Sequence, residues 1–129
     1  MLSKVKSYKD LIVWQKGMDL AELVYQLTVK YPKDELYSLT NQMRRAVVSI
    51  VSNIAEGKGR ESIQGYLHFL AISQGSLTEL ETQILLSIRL RYLSEIDAET
   101  PLSLCDEIGR MLNTMRTKLK AASQLTPNP

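Results

Sequence analysis

The stretch CDEIGRMLNTMRTKLKAA, residues 105–122, decides the fold of this 129-residue chain. Its apolar residues are spaced alternately by three and four positions, so they share one face of an α-helix. Just upstream, Thr100 can cap a helix and Pro101 can occupy its first position, as proline often does. The pattern therefore predicts a helix over about residues 101–123. Its apolar face comprises Cys105, Ile108, Leu112, Met115, Leu119 and Ala122.

Three more segments, closer to the N-terminus, have helical spacing and are separated by proline or glycine. Ser62 is a suitable N-cap, and the glycines of Gly57-Lys58-Gly59 suit the end of the helix before it. The predicted helices cover about residues 11–29, 36–56 and 62–92. Because the connections are short, successive helices should be antiparallel. The sequence therefore predicts an all-α fold, an antiparallel up-down-up-down four-helix bundle that residues 1–129 form as a single domain.

Composition limits the class of protein. Hydrophobic residues make up 44% of the chain and charged residues 23%, which is typical of a soluble globular domain. No apolar run approaches the roughly 18 residues that cross a bilayer, and the first residues do not resemble a secretory signal. We therefore expect a cytoplasmic protein that does not associate with a membrane. One cysteine and one histidine cannot form a typical zinc site, so we expect no metal and no cofactor.

Side chains suited to catalysis are few and poorly placed. Cys105 lies on the apolar face of the last helix, where a thiol is ordinarily inert. His68 is predicted to be exposed, and Gly65 stands where a di-iron bundle needs a glutamate. The glycines at 57 and 59 lack the remainder of a nucleotide-binding loop. We therefore predict no catalytic residues and no enzymatic activity.

The predicted second helix has more apolar surface than burial on one side requires. Beside its main apolar stripe, Val48, Val51 and Ala55 form a second stripe about a third of a turn away. Two interpretations remain open: the helix is central in its own bundle, or the second stripe packs against another subunit. A similar double stripe on the first helix favours self-association. Val48, Val51 and Ala55 are accordingly the predicted subunit interface.

A structural ion pair is predicted between the second and third helices. Glu81 falls in the apolar register of the third helix, and a buried carboxylate requires a partner. Arg44 or Arg45, on the neighbouring antiparallel helix, is the candidate. A structural ion pair is favoured over a catalytic carboxylate.

Four motifs resemble the bacterial four-helix-bundle proteins of the 23S rRNA intervening-sequence family. They are YKDLIVWQK at 8–16, QMRRAVVSI at 42–50, SNIAEGKGR at 52–60 and GSLTELET at 75–82. The family often has proline where this chain has Val51 and glycine where it has Arg91. The resemblance implies homopentamers of up-down bundles arranged around a central axis. The chain is also similar to accessory variability determinants of diversity-generating retroelements, which implies a reverse transcriptase partner and nucleic-acid binding through a basic surface.

Charge is unevenly distributed along the chain. Lys and Arg number 16 against 14 Asp and Glu, a net charge of +2, and the basic excess lies in the first half. The candidate contacts to a phosphate backbone are Lys16, Arg44, Lys58 and Arg60. For Arg44 an ion pair is the alternative, and for Lys58 and Arg60 a solvated helix end.

These observations predict a non-enzymatic homo-oligomeric helical scaffold that binds RNA or DNA through a basic surface. The alternative is a protein–protein interaction module that docks a polymerase or another protein without contacting nucleic acid.

Overall fold

The structure, a computed structural model, describes residues 6–125 and, for Leu125, the backbone alone. Within this range the chain forms four α-helices, which confirms the all-α prediction. They are α1 (Ile12–Thr28), α2 (Leu39–Lys58), α3 (Ile63–Arg89) and α4 (Glu95–Leu125), with 3-10 turns at Tyr8–Asp10 and Lys33–Glu35. Residues 1–5 and 126–129 of the predicted domain lie outside the described residues. None of the helices between residues 6 and 125 is long and apolar enough to cross a membrane.

Contacts between successive helices show that each pair is antiparallel. The paired positions are Gly17 with Val51 and Thr28 with Arg44 for α1 and α2, Ser73 with Ile50 and Ser87 with Met43 for α2 and α3, and Gln74 with Arg116 and Leu77 with Gly109 for α3 and α4. In every pair, residue numbers rise along one helix as they fall along the other. Helices α1 and α4 also meet, with Lys16 Nζ 2.6 Å from Glu107 Oε2. The four helices therefore form an up-down-up-down bundle.

The core lies between the four helices, and each contributes side chains that are at most 2% exposed. These include Leu20 and Val24 of α1, Met43, Val47, Ile50 and Ile54 of α2, Leu70, Leu80 and Ile84 of α3, and Cys105, Ile108 and Leu112 of α4. Burying an aliphatic side chain of this size contributes about 1.5–3 kcal/mol. The predicted apolar face of α4 is therefore buried over its first half, whereas Met115 and Leu119 are half-buried and Ala122 is exposed.

Helix α4 begins at Glu95, so the predicted start at Pro101 is wrong. Ser94 Oγ accepts a hydrogen bond from the backbone N–H of Asp97 at 3.0 Å, and Ser94 thus takes the capping role predicted for Thr100. Pro101 instead lies inside the helix, fully buried. Because proline has no N–H, the carbonyl of Asp97 lacks its usual helical donor.

The other helix ends differ from the predicted ranges by at most three residues. Ser62 Oγ accepts a hydrogen bond from the Gly65 N–H at 3.0 Å, which confirms the predicted N-cap of α3. The same helix ends at Arg89, and Arg91 follows with a φ of 64°. This is the left-handed conformation that glycine usually supplies after a helix. A β-carbon makes it less favourable for arginine.

Candidate nucleic-acid interface

The four residues predicted to contact phosphate groups do not form one surface. Lys16 faces α4, where it pairs with Glu107. Arg44 lies in the first half of α2 and contacts α1. Lys58 and Arg60 lie together where α2 ends. The structure therefore brings together only the last two.

One end of the bundle nevertheless concentrates positive charge. At this end α1 and α3 begin and α2 and α4 end; we define it as residues 6–15, 56–68 and 110–124 and name it the basic end. It contains eight Lys or Arg and three Asp or Glu, a net charge of +5. The other described residues contain seven Lys or Arg and eleven Asp or Glu, a net charge of −4. The small net charge of the chain thus conceals a strong separation of charge along the bundle.

Half of the basic residues at this end come from α4, and none of these is among the phosphate contacts predicted from the sequence. They are Arg110, Arg116, Lys118 and Lys120. Every charged residue of α4 before Arg110 is acidic, and every described one from Arg110 onward is basic. This separation of acidic and basic residues within one helix is visible in the sequence and could have identified the basic residues of α4. Glu95 and Asp97, in the first turn, also stabilise the helix through its dipole.

Several of these cations are available to a ligand. Among residues 6–125, no carboxylate lies within ion-pair distance of Lys58, Lys118 or Lys120. Arg60 Nη2 lies 3.3 Å from Glu56 Oε2, but the two side chains are 46% and 61% exposed. Exposed pairs contribute about 0–1 kcal/mol, so a phosphate can compete with the carboxylate.

Arg116 has a structural contact as well as a charge. Its Nη1 donates to the side-chain oxygen of Gln74, which connects α4 to α3. Its buried Nε has no hydrogen-bond partner in the described chain. Gln74 therefore obtains its polar partner from α4.

The predicted ion pair of Glu81 with Arg44 or Arg45 is not formed. Glu81 is exposed and lines a groove of about 350 Å³ between α3 and α4. Arg44 instead turns towards α1, where its Nε donates to Thr28 Oγ1 at 3.0 Å and its guanidinium carbon is 4.7 Å from the Tyr25 ring centroid. The carboxylate lies at the edge of the apolar face, where it reaches water and requires no partner.

Cys105 and His68 have the environments that the sequence predicted. The Cys105 side chain is buried in the core. Burial, with a smaller contribution from the carboxylate of Glu81, raises the pKa of its thiol to about 12. His68 is exposed on α3. Among residues 6–125, no three His, Cys, Asp or Glu side chains are grouped closely enough to hold a metal ion.

The three residues of the predicted subunit interface have different environments. Val51 is only 8% exposed, because Gly17 has no side chain and lets α1 approach; a β-carbon there would lie 2.6 Å from Val51 Cγ1. The prediction that Val51 faces another subunit is therefore wrong. Val48 is 42% exposed on the outer surface, and Ala55 is half-buried.

Two adjoining sides of the bundle keep exposed apolar side chains. The first, which we name the α1–α2 face, contains Met18, Tyr25 and Val48, each 42–43% exposed, with Arg44 between the two helices. The second, the α2–α3 face, contains Ile72, Leu86 and Leu90 in one helical row with Glu79. This row adjoins Ser76, whose hydroxyl lies 2.8 Å from that of Ser49 on α2. The two faces thus meet along the outer surface of α2.

Comparison with known proteins identifies a family and solved structures of similar fold. A family model described as "23S rRNA-intervening sequence protein" matches residues 9–114. A crystal structure from Bacteroides thetaiotaomicron VPI-5482, described as a protein of unknown function from the S23 ribosomal protein family, is similar with a TM-score of 0.74. The identity is 23%, over 81% of this chain and 98% of that chain, which supports the fold alone. None of the curated proteins matches.

Proposed function

Since the chain belongs to the 23S rRNA-intervening sequence protein family, we propose that it is a non-enzymatic, homo-oligomeric scaffold that binds RNA or DNA. The observation that carries this proposal is the separation of charge along the bundle, +5 at the basic end against −4 over the other described residues. The phosphate backbone is the polyanion that such a surface fits. Binding releases condensed counterions, so its affinity falls steeply as salt rises.

Self-association is supported by the two exposed faces. The α1–α2 face presents Arg44 and the α2–α3 face presents Glu79, and neither has an ion-pair partner within the described chain. Two different, complementary faces on one chain produce a head-to-tail contact, which closes into a ring when the rotation permits. Adjoining sides of a four-helix bundle point in directions about 90° apart. In a closed ring, the two contact faces of one subunit must point about 90° apart for four subunits and about 108° apart for five. An angle of about 90° suits a ring of four or five subunits, and the family resemblance favours five.

A ring increases the effect of the basic end. Cyclic symmetry turns every subunit the same way along the axis, so all basic ends lie on one side of the assembly. Five copies of a +5 end place about +25 on that side. Each contact alone is weak, but simultaneous contacts to one strand raise the overall affinity.

The alternative, a module that docks a polymerase or another protein, has a separate observation in its favour. An apolar groove of about 550 Å³ lies between the start of α1 and the second half of α4. It is lined by Ile12, Met111 and Met115, among others, and Ile12 is 58% exposed. Methionine-rich grooves adapt readily to apolar segments of other proteins.

The decisive experiment measures nucleic-acid affinity against salt concentration for three proteins. Lys118→Glu/Lys120→Glu reverses two charges at the basic end, and Lys30→Glu/Lys33→Glu makes the same change at the opposite end. We expect the first variant to lose at least about tenfold in affinity. The slope of log K against log salt, which is negative, should become less steep by about two. The second variant should bind almost as the unmodified protein does. Equal loss in both variants contradicts the assignment of binding to the basic end.

Subunit association has its own measurement. Light scattering at micromolar concentration should give a multiple of the 14.6 kDa chain mass. Glu79→Arg, on the α2–α3 face, should lower that multiple, whereas Glu99→Arg on α4 should not. A monomer at this concentration contradicts the ring. A protein partner that is captured equally well after nuclease treatment, with no nucleic-acid binding by the chain, favours the alternative.

A further inference from the structure

Arg60, at the basic end, is held in place on three sides. Its guanidinium carbon lies 4.5 Å from the centroid of the Phe69 ring. Its Nη2 lies 3.3 Å from Glu56 Oε2. Its stem lies against Gly65, where a β-carbon would be 3.2 Å from Arg60 Cβ. The side chain is therefore positioned before any ligand arrives, although Arg60 as a residue remains exposed.

Phe69 is itself fixed by a close approach of α2 and α3. A β-carbon on Gly57 would lie 3.1 Å from Phe69 Cβ and 3.0 Å from Tyr66 Cδ1, so a larger residue here would push both side chains away by a few tenths of an ångström. The exposed imidazole of His68 meets the Phe69 ring edge-on, with centroids 5.2 Å apart and planes at 77°. The planar groups of Arg60, Phe69 and His68 thus form one cluster, which we name the Arg60 platform.

We propose that the Arg60 platform stacks against unpaired bases, so that the basic end prefers single-stranded RNA or DNA to duplex. Guanidinium and imidazole planes both stack on nucleobases, and any base offers a flat face. In a duplex those faces are covered by neighbouring base pairs. This inference rests on the proposed function, because Lys58 and the lysines of α4 are the groups that would hold the backbone.

The platform lies where a strand could reach it in a ring. His68 is one turn before Ile72, the first residue of the apolar row on the α2–α3 face. The platform therefore lies just beyond the proposed subunit contact, on the side that contains the basic ends.

Fluorescence anisotropy on the full chain separates stacking from charge. The probes are labelled oligo(U), oligo(dT) and an abasic oligomer of about 20 phosphates, together with a duplex of the same length. We expect the unmodified protein to bind either single strand about tenfold more tightly than the abasic oligomer, the equivalent of about 1.4 kcal/mol for one stacked base. The comparison of oligo(U) with oligo(dT) distinguishes RNA from DNA as the natural ligand.

Arg60→Lys keeps the charge and removes the plane. In this variant the advantage of single strands over the abasic oligomer should disappear while the salt dependence stays the same. Arg45→Lys, the matched change at a position on α2 away from the basic end, should leave the advantage intact, and His68→Ala should reduce it in part. Circular dichroism confirms that each variant is folded.

Each failure has a distinct meaning. Equal affinity of the unmodified protein for abasic and single-stranded probes overturns the platform and leaves the proposed function standing. The platform is also overturned if Arg60→Lys still binds single strands more tightly than the abasic oligomer. The same holds if this variant loses as much affinity for the abasic oligomer as for the single strands. Failure to bind any probe at about 0.1 M salt overturns the proposed function itself.

Discussion

The two ends of the bundle are held together in different ways. At the end opposite the basic end, the Tyr92 hydroxyl donates to Glu35 Oε2 at 2.8 Å, and the Tyr31 and Tyr92 rings lie 5.5 Å apart. These contacts join the connection between α1 and α2 to the connection between α3 and α4. At the basic end, by contrast, like charges from separate helices are brought together and repel one another. We therefore expect the end opposite the basic end to contribute more to stability than the basic end does.

The test with the largest expected effect compares the loss of one aromatic residue at each end of the bundle. Tyr31 is only 5% exposed, whereas Phe69 is half-buried beneath Arg60. Tyr31→Ala should lower the free energy of unfolding by about 3–5 kcal/mol, because it leaves a cavity in the core. Phe69→Ala should cost about half as much. Urea denaturation followed by circular dichroism measures both, and equal losses would mean that the two ends contribute alike.

A smaller effect, of opposite sign, is expected from the residue after α3. Arg91 adopts a φ of 64°, which glycine adopts without a steric cost. Arg91→Gly should therefore raise the free energy of unfolding by about 1 kcal/mol and the melting temperature by a few degrees. Arg89→Gly, at the last residue of α3, should instead lower stability, by at most about 1 kcal/mol. Calorimetry checks the pair; destabilisation by Arg91→Gly would contradict the assignment of strain.

The smallest effect concerns the repulsion at the basic end. Lys118→Gln/Lys120→Gln removes two like charges and should raise the free energy of unfolding by about 0.5 kcal/mol at low salt. The gain should vanish near 1 M salt, where charges are screened within about 3 Å. Lys30→Gln/Lys33→Gln, at the opposite end, should give no such gain. If both variants respond alike, repulsion is not specific to the basic end.

The sequence predicts most of the fold because helical periodicity is local. The spacing of Cys105, Ile108 and Leu112 places them on one face whatever the rest of the chain does, and they are buried. Proline is ambiguous, because the sequence does not show whether it occupies the favourable first position of a helix or is tolerated in the helix interior. The sequence favours the first position for Pro101, because the capping by Ser94 is visible only in the structure.

The candidate site is harder to predict because it depends on which helix covers which side of its neighbour. The closure of α1 over Val51 follows from the missing side chain of Gly17, a contact between residues far apart in sequence. The outward position of Glu81 depends in the same way on the packing of α4. The basic end was missed for a further reason. Residues 98–129 sum to a net charge of only +1, and that sum hides the separation within α4.

The unequal lengths of the helices have a consequence for how binding could be observed. Helix α4 has 31 residues and α1 has 17, and the start of α1 lies beside Met111 and Met115. The last turns of α4, from Arg116 onward, therefore lack α1 as a neighbour and should open locally at a lower free energy than the turns before them. A bound phosphate backbone neutralises the lysines that repel one another there. Slower amide hydrogen exchange in these turns would thus be a direct reporter of occupancy, without any label on the protein.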